Sequence, residues 1–234
     1  MKNKESNKEN PTKIDTLPIC DCPGNTWVYV WKMTAQKVGH TAIQVGGCKP
    51  KLEQDDHGEY ISIHPNMIPS IGPTVILPLP AGLAGTLSHD MAAEAGSQNN
   101  DMLGELTGIP SEHSPTSCPP DYTFNIPNLK TDVMRNMIAA TRDEVKTGQT
   151  TYQLLPKVNT LQFFKEIPQF ISYNPVDIGS TPKPPQGNNR YNCATLVSSI
   201  LKEGGMPIRQ SIMPWGQTPN DLAEQLYCAR AVYL

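Results

Sequence analysis

Gly39-His40-Thr41-Ala42-Ile43-Gln44-Val45 and Asn192-Cys193-Ala194-Thr195-Leu196-Val197 are the two stretches whose reading decides the fold. The first is β-branched and alternating after a glycine, so it reads as a strand opening on a histidine. The second opens on a helix-capping residue. Cys193, Leu196, Val197 and Ile200 then recur at i, i+3, i+4 and i+7, which is the period of one helix face. Gly204-Gly205 supplies the stop. A helix that starts with a thiol and a strand that starts with an imidazole are the two parts of a cysteine-nucleophile site.

The spacing also says where those groups point. The thiol lies on the apolar stripe of its helix and so faces a sheet. In the first helical turn the unsatisfied N–H groups and the macrodipole favour an anion, the form in which sulfur attacks. The same N–H groups can donate to an oxyanion, with the Asn192 side chain as a candidate helper. Tyr60-Ile61-Ser62-Ile63-His64 reads as a second strand, with Tyr60, Ser62 and His64 on one face. Antiparallel pairing with 41–45 sets the end of one beside the start of the other, so His64 falls near His40. One histidine then serves as base toward the thiol, and the other orients it as the third member of a triad. The competing reading is plain: a core cysteine, solvated histidines and an asparagine that only caps.

Outward from these segments, Thr26 to Met33 reads as a strand and Thr74 to Leu79 as another. The stretch Ala81 to Pro120 is low in β-branched residues, with a short helix expected at His89 to Ala95. Tyr122 to Ile126 is expected to be a strand. Thr131 to Thr147 is expected to be a helix whose buried face carries Val133, Met137, Ile138, Thr141 and Val145, closed by Gly148. The proline-rich 156–190 segment reads as an insertion or flap just ahead of the nucleophile helix. Thr218-Pro219-Asn220-Asp221 starts a third helix, and Tyr227 to Leu234 is expected to be a final strand.

Composition narrows the function classes. The 234 residues suffice for one large domain. A net charge of −3 gives no electrostatic case for nucleic acid. No apolar run approaches the roughly 20 residues of a membrane span. Residues 1–20 are expected to be a disordered polar tail without a secretory h-region, and 21–234 a single domain. The six cysteines are irregularly spaced, and free thiols in a reducing, cytosolic compartment are expected. Cys20-Asp21-Cys22 lacks the second close ligand pair that a zinc site needs, so neither metal nor cofactor is expected.

Three runs together carry a family resemblance: Gly-His-Thr-Ala-Ile-Gln-Val at 39–45 with Tyr-Ile-Ser-Ile-His-Pro at 60–65, Tyr-Asn-Cys-Ala-Thr-Leu-Val at 191–197 with Leu201 and Gly204-Gly205, and Thr-Pro-Asn-Asp-Leu at 218–222. They resemble the circularly permuted papain-like cysteine peptidases, namely the PPPDE isopeptidases and the permuted NlpC-type branch, over roughly residues 26–65 and 120–228. The resemblance implies an α+β fold, with a central antiparallel sheet packed against a nucleophile-bearing helix. It implies His40 as base, Cys193 as nucleophile and His64 as a variable third group. The implied activity is hydrolysis of an amide, peptide or isopeptide bond in a protein or peptide substrate, without a cofactor. An acyltransferase or deamidase using the same pair, and a binding module that has lost activity, are the alternatives. Proteins of this kind include bacterial effectors delivered into a host cytosol without a cleaved signal. Oligomeric state is not legible.

Overall fold

The computed structural model describes residues 24–34, 37–54, 57–66, 77–98, 116–157, 189–213 and 216–233. The expected tail at 1–20, the Cys20-Asp21-Cys22 run and nearly all of the 156–190 flap lie outside the described residues. The strands are β1 (Thr26–Trp31), β2 (His40–Val45), β3 (Glu59–Pro65), β4 (Leu79–Ala84), β5 (Tyr122–Ile126), β6 (Thr150–Tyr152) and β7 (Asn189–Tyr191). The helices are α1 (Leu87–Gln98), α2 (Thr131–Lys146), α3 (Cys193–Glu203) and α4 (Pro219–Tyr233). One mixed sheet orders the strands β5-β1-β2-β3-β4-β6-β7. Every pairing is antiparallel except β6 with β7.

Alternation along the strands sorts side chains into two cores. Val28, Val30, Ile43, Val45, Ile61 and Ile63 face the side covered by α2, α3 and α4. On α3, Leu196, Val197, Ile200 and Leu201 are fully buried against them; each such side chain contributes about 1.5–3 kcal/mol. Tyr29, Trp31, Ala42 and Tyr60 face the other way and meet Leu87 of α1. The nucleophile helix and α1 therefore press on opposite faces of the same strands.

Several expectations shift for physical reasons. The fourth strand lies at Leu79–Ala84; of the expected Thr74–Leu79, residues 74–76 lie outside the described residues. Its sequence, LPAGLA, has little β propensity, and the strand is held by pairing of Ser62 with Ala84 and His64 with Gly82. A Cβ at Gly82 would stand 2.5 Å from Cε1 of the His64 ring, so any larger residue there would have to displace that ring. β6 and β7 have three residues each, too few for a period to show. On α2 the buried residues are Thr131, Met134, Ile138 and Thr141, while Val133 is exposed. Tyr227 onward is not a strand but the continuation of α4 to Tyr233. Leu222, Ala223 and Leu226 set a helical buried stripe that outweighs the β propensity of Tyr227, which stays 73% exposed.

Candidate active site

His40 is placed by a tight approach of backbone. Gly39 takes φ +74°, and a Cβ on it would stand 2.6 Å from the Met33 nitrogen and 2.7 Å from the Trp31 oxygen. A residue with a side chain would push the start of β2 away from β1. Trp31, the register partner of His40, then lies beside the imidazole with ring centroids 5.5 Å apart.

Cys193 is placed by a reciprocal cap. Asn192 Oδ1 accepts from the Thr195 backbone N–H at 2.7 Å, and Thr195 Oγ1 accepts from the Asn192 N–H at 2.9 Å. This fixes the first turn of α3 with Cys193 as its first helical residue. The thiol is free and 4% exposed. It lies close enough to the imidazole to raise the His40 pKa, so the fold brings together the two residues paired from the sequence.

The third group at the imidazole is Asp90, which sequence reasoning passed over. Its Oδ2 lies 3.4 Å from His40 Nε2. That contact is ionic rather than well directed, since Nε2 has no properly aligned acceptor among the described residues. Asp90 Oδ2 also accepts from Tyr60 Oη at 2.6 Å, and Oδ1 accepts from Ser62 Oγ at 2.9 Å. Both donors come from β3 and hold the carboxylate still while it faces the ring. A signal for Asp90 was present in the sequence. Leu87, Met91 and Ala95 form the buried stripe of α1, and Asp90 sits on that stripe, where an unpaired acid is too costly to bury.

The charges follow from this geometry. Burial alone would lower the pKa of His40. The Asp90 carboxylate and the Cys193 sulfur outweigh it and raise His40 well above the ordinary histidine value. Burial would raise Asp90, yet His40, Tyr60 and Ser62 hold its carboxyl below the usual range. The carboxylate thus favours the charged form of the imidazole, so His40 is primed to hold a proton, with the sulfur as its next neighbour. Glu94, one turn along α1, is pushed up by burial against the opposing pull of His40 and Lys37.

His64 and Asn192 occupy other places. His64 is near His40, but its Nδ1 lies 3.4 Å from the Pro65 carbonyl and its ring meets His89 edge-on at 6.2 Å. Burial, together with the charges of His40 and His89, lowers its pKa although Asp90 and Pro65 pull the other way. Asn192 Nδ2 donates to the Leu154 carbonyl at 3.3 Å and the Gln217 carbonyl at 3.1 Å. Its amide hydrogens are thus directed into the walls beside the thiol rather than toward a reacting carbonyl.

A cleft of about 760 Å³ opens beside Cys193. Met33 and Val38 line one wall, Leu154 and Leu155 another, and Pro219 with the first turn of α4 a third. Asn220 ties the first wall to the third, accepting from the Met33 N–H at 2.9 Å and donating to the Met33 carbonyl at 3.0 Å.

One expectation about the cysteines is overturned. Cys48 is disulfide-bonded, while Cys118, Cys193 and Cys228 form no disulfide. Irregular spacing did not exclude a bridge, because chain folding rather than sequence distance decides which sulfurs meet. Among the described residues, no three His, Cys, Asp or Glu side chains stand together as a metal site, and no helix is long and apolar enough to cross a membrane. No family model, curated protein or solved structure matches this chain.

Proposed function

We propose that the protein is a thiol hydrolase of circularly permuted papain-like design, with Cys193 as nucleophile, His40 as acid–base and Asp90 as the group that holds and charges His40. The supporting observation is the buried line Cys193–His40–Asp90 ending in an accessible cleft. In this reading His40 takes the thiol proton and the sulfur attacks an amide carbonyl carbon. The carbonyl π electrons move to oxygen, and the tetrahedral intermediate collapses as His40 returns a proton to the leaving amine. Water, deprotonated by His40, then attacks the thioester, and its collapse releases the acid and restores the thiol. The substrate is a protein or peptide amide, and the chemistry calls for no cofactor. The Cys48 disulfide weighs against a reducing cytosol as the place of work.

The test is site-resolved alkylation with iodoacetamide at neutral pH. Cys193 should label faster than the more exposed Cys118 and Cys228, which serve as internal controls. The excess should vanish in His40→Ala, with thermal unfolding confirming the fold. Equal labelling of the three thiols, or indifference to His40→Ala, overturns the proposal.

A further inference from the structure

We propose that Tyr152 is a further catalytic residue, whose hydroxyl donates a hydrogen bond to the oxyanion formed when Cys193 attacks a carbonyl. This inference rests on the thiol-hydrolase reading above.

Backbone geometry places the residue. Tyr152 ends β6, paired with Leu79 on one side and with Tyr191 on the other. Tyr191 is two residues before Cys193, and the next backbone link, Gln153 N–H to the Tyr191 carbonyl at 2.9 Å, fastens β6 at the root of α3. Strand alternation fixes the direction. Thr150, two residues earlier, donates its hydroxyl to Glu144 of α2 at 2.6 Å, so Tyr152 faces the same side, where α2 and α3 lie. Its ring belongs to the same packed cluster as Cys193.

The hydroxyl is available. Tyr152 is 6% exposed; its Oη makes no hydrogen bond among the described residues and, unlike His40 Nε2, Thr41 Oγ1 and Ser198 Oγ, is not sealed from solvent. Burial, then the neighbouring Cys193 and Glu94, push its pKa far up, so it remains a neutral O–H donor. A group held protonated beside a developing anion can stabilise it without first losing water.

The site has room for such a donor. Asn192, the side-chain candidate read from sequence, has its amide hydrogens on two carbonyls. The N–H groups of Cys193 and Ala194 are the first two of α3 and have no intrahelical acceptor. On attack, the C–S bond forms, the carbonyl π pair moves to oxygen, and that oxygen accepts from the Tyr152 hydroxyl and the first-turn N–H. Collapse restores the C=O bond and expels the leaving group, and the donors keep their protons throughout.

The test separates two reactions of one sulfur. Iodoacetamide alkylation displaces iodide and forms no oxyanion. Acylation by p-nitrophenyl acetate passes through one. In Tyr152→Phe, alkylation of Cys193 should stay within about twofold of wild type, while release of p-nitrophenolate falls on the order of a hundredfold. The thermal midpoint should hold, because the lost oxygen has no partner at rest; Tyr152→Leu is the second variant if the first does not fold. Equal slowing of both reactions, or of neither, removes Tyr152 from this role. Loss of selective Cys193 alkylation in the wild-type protein instead removes the hydrolase reading beneath it, so the two failures are distinguishable.

Discussion

Asp90 Oδ2 and His40 Nε2 stand 3.4 Å apart although α1 and α3 lie on opposite faces of the sheet. His40 opens β2, so its ring lies where the strand begins. A carboxylate arrives there from one face and a thiol from the other. The largest upward pull on the imidazole pKa comes from α1, whose apolar residues pack in a different core from those of the nucleophile helix.

Asp90→Asn tests that division of labour. Without the carboxylate, burial is opposed at His40 only by Cys193, so the imidazole pKa falls. Alkylation of Cys193 at pH 7 should drop by about tenfold for each unit of that fall, ~1.4 kcal/mol each. Its rise with pH should move to more alkaline values. The amide oxygen can still accept from one of the Tyr60 and Ser62 hydroxyls and the amide N–H can donate to the other, so the fold should survive. An unchanged pH–rate profile would sever Asp90 from the site.

The same pair shapes stability against pH. His40 is raised, so its contribution is complete below the ordinary histidine value near ~6.5 and is lost as pH climbs through the elevated native value. Asp90 is lowered, so its contribution is present above ~3.9 and is lost as pH falls through the depressed native value. Urea unfolding between pH 2 and 9 should show a plateau between these two declines. In Asp90→Asn the alkaline decline should end at lower pH and be smaller. A variant whose alkaline limb coincides with wild type would assign that limb to other groups.

How much of this was legible follows from the length of each signal. The α3 stripe spans eleven residues and carries its own cap, so its start and stop could be read directly. The β2–β3 pairing followed from alternation, which also set His64 beside His40. What alternation could not supply was the content of the opposite face. Asp90 enters from a helix some fifty positions along the chain, and only its place on a buried stripe marked it. β6 and β7 draw their stability from their neighbours, so three-residue segments gave no periodic pattern. Tyr227 misled because β propensity was weighed over the helical spacing of Leu222 and Leu226.

Gly39→Ala probes the strand start. The left-handed φ and the approach to Met33 and Trp31 both resist a methyl group. The cost should be about 1–3 kcal/mol from the backbone conformation alone. Because the relief available is a shift of the β2 start, His40 should move with it, and selective Cys193 alkylation should decline along with the thermal midpoint. A variant equal to wild type in both would mean that the turn relaxes without the histidine.

Asn192 allows cap and cross-link to be separated. Its Oδ1 closes the first turn of α3, while its Nδ2 joins Leu154 and Gln217, one from each of two cleft walls. Asn192→Asp keeps the cap acceptor but turns the donor edge into oxygen facing two carbonyls. Asn192→Ala loses both functions. The alanine variant should lose about 1–2 kcal/mol from the cap, and further stability because the two buried carbonyls lose a donor. The aspartate variant spares the cap but buries a charge against acceptors at a site 5% exposed, so it should be destabilised and recover as pH is lowered through the carboxyl pKa. Denaturant unfolding of both at pH 5 and pH 8 reads this directly. Two variants with equal stability at both pH values would show that the amide edge facing Leu154 and Gln217 contributes nothing, and would return the Asn192 side chain to the pool of oxyanion donors.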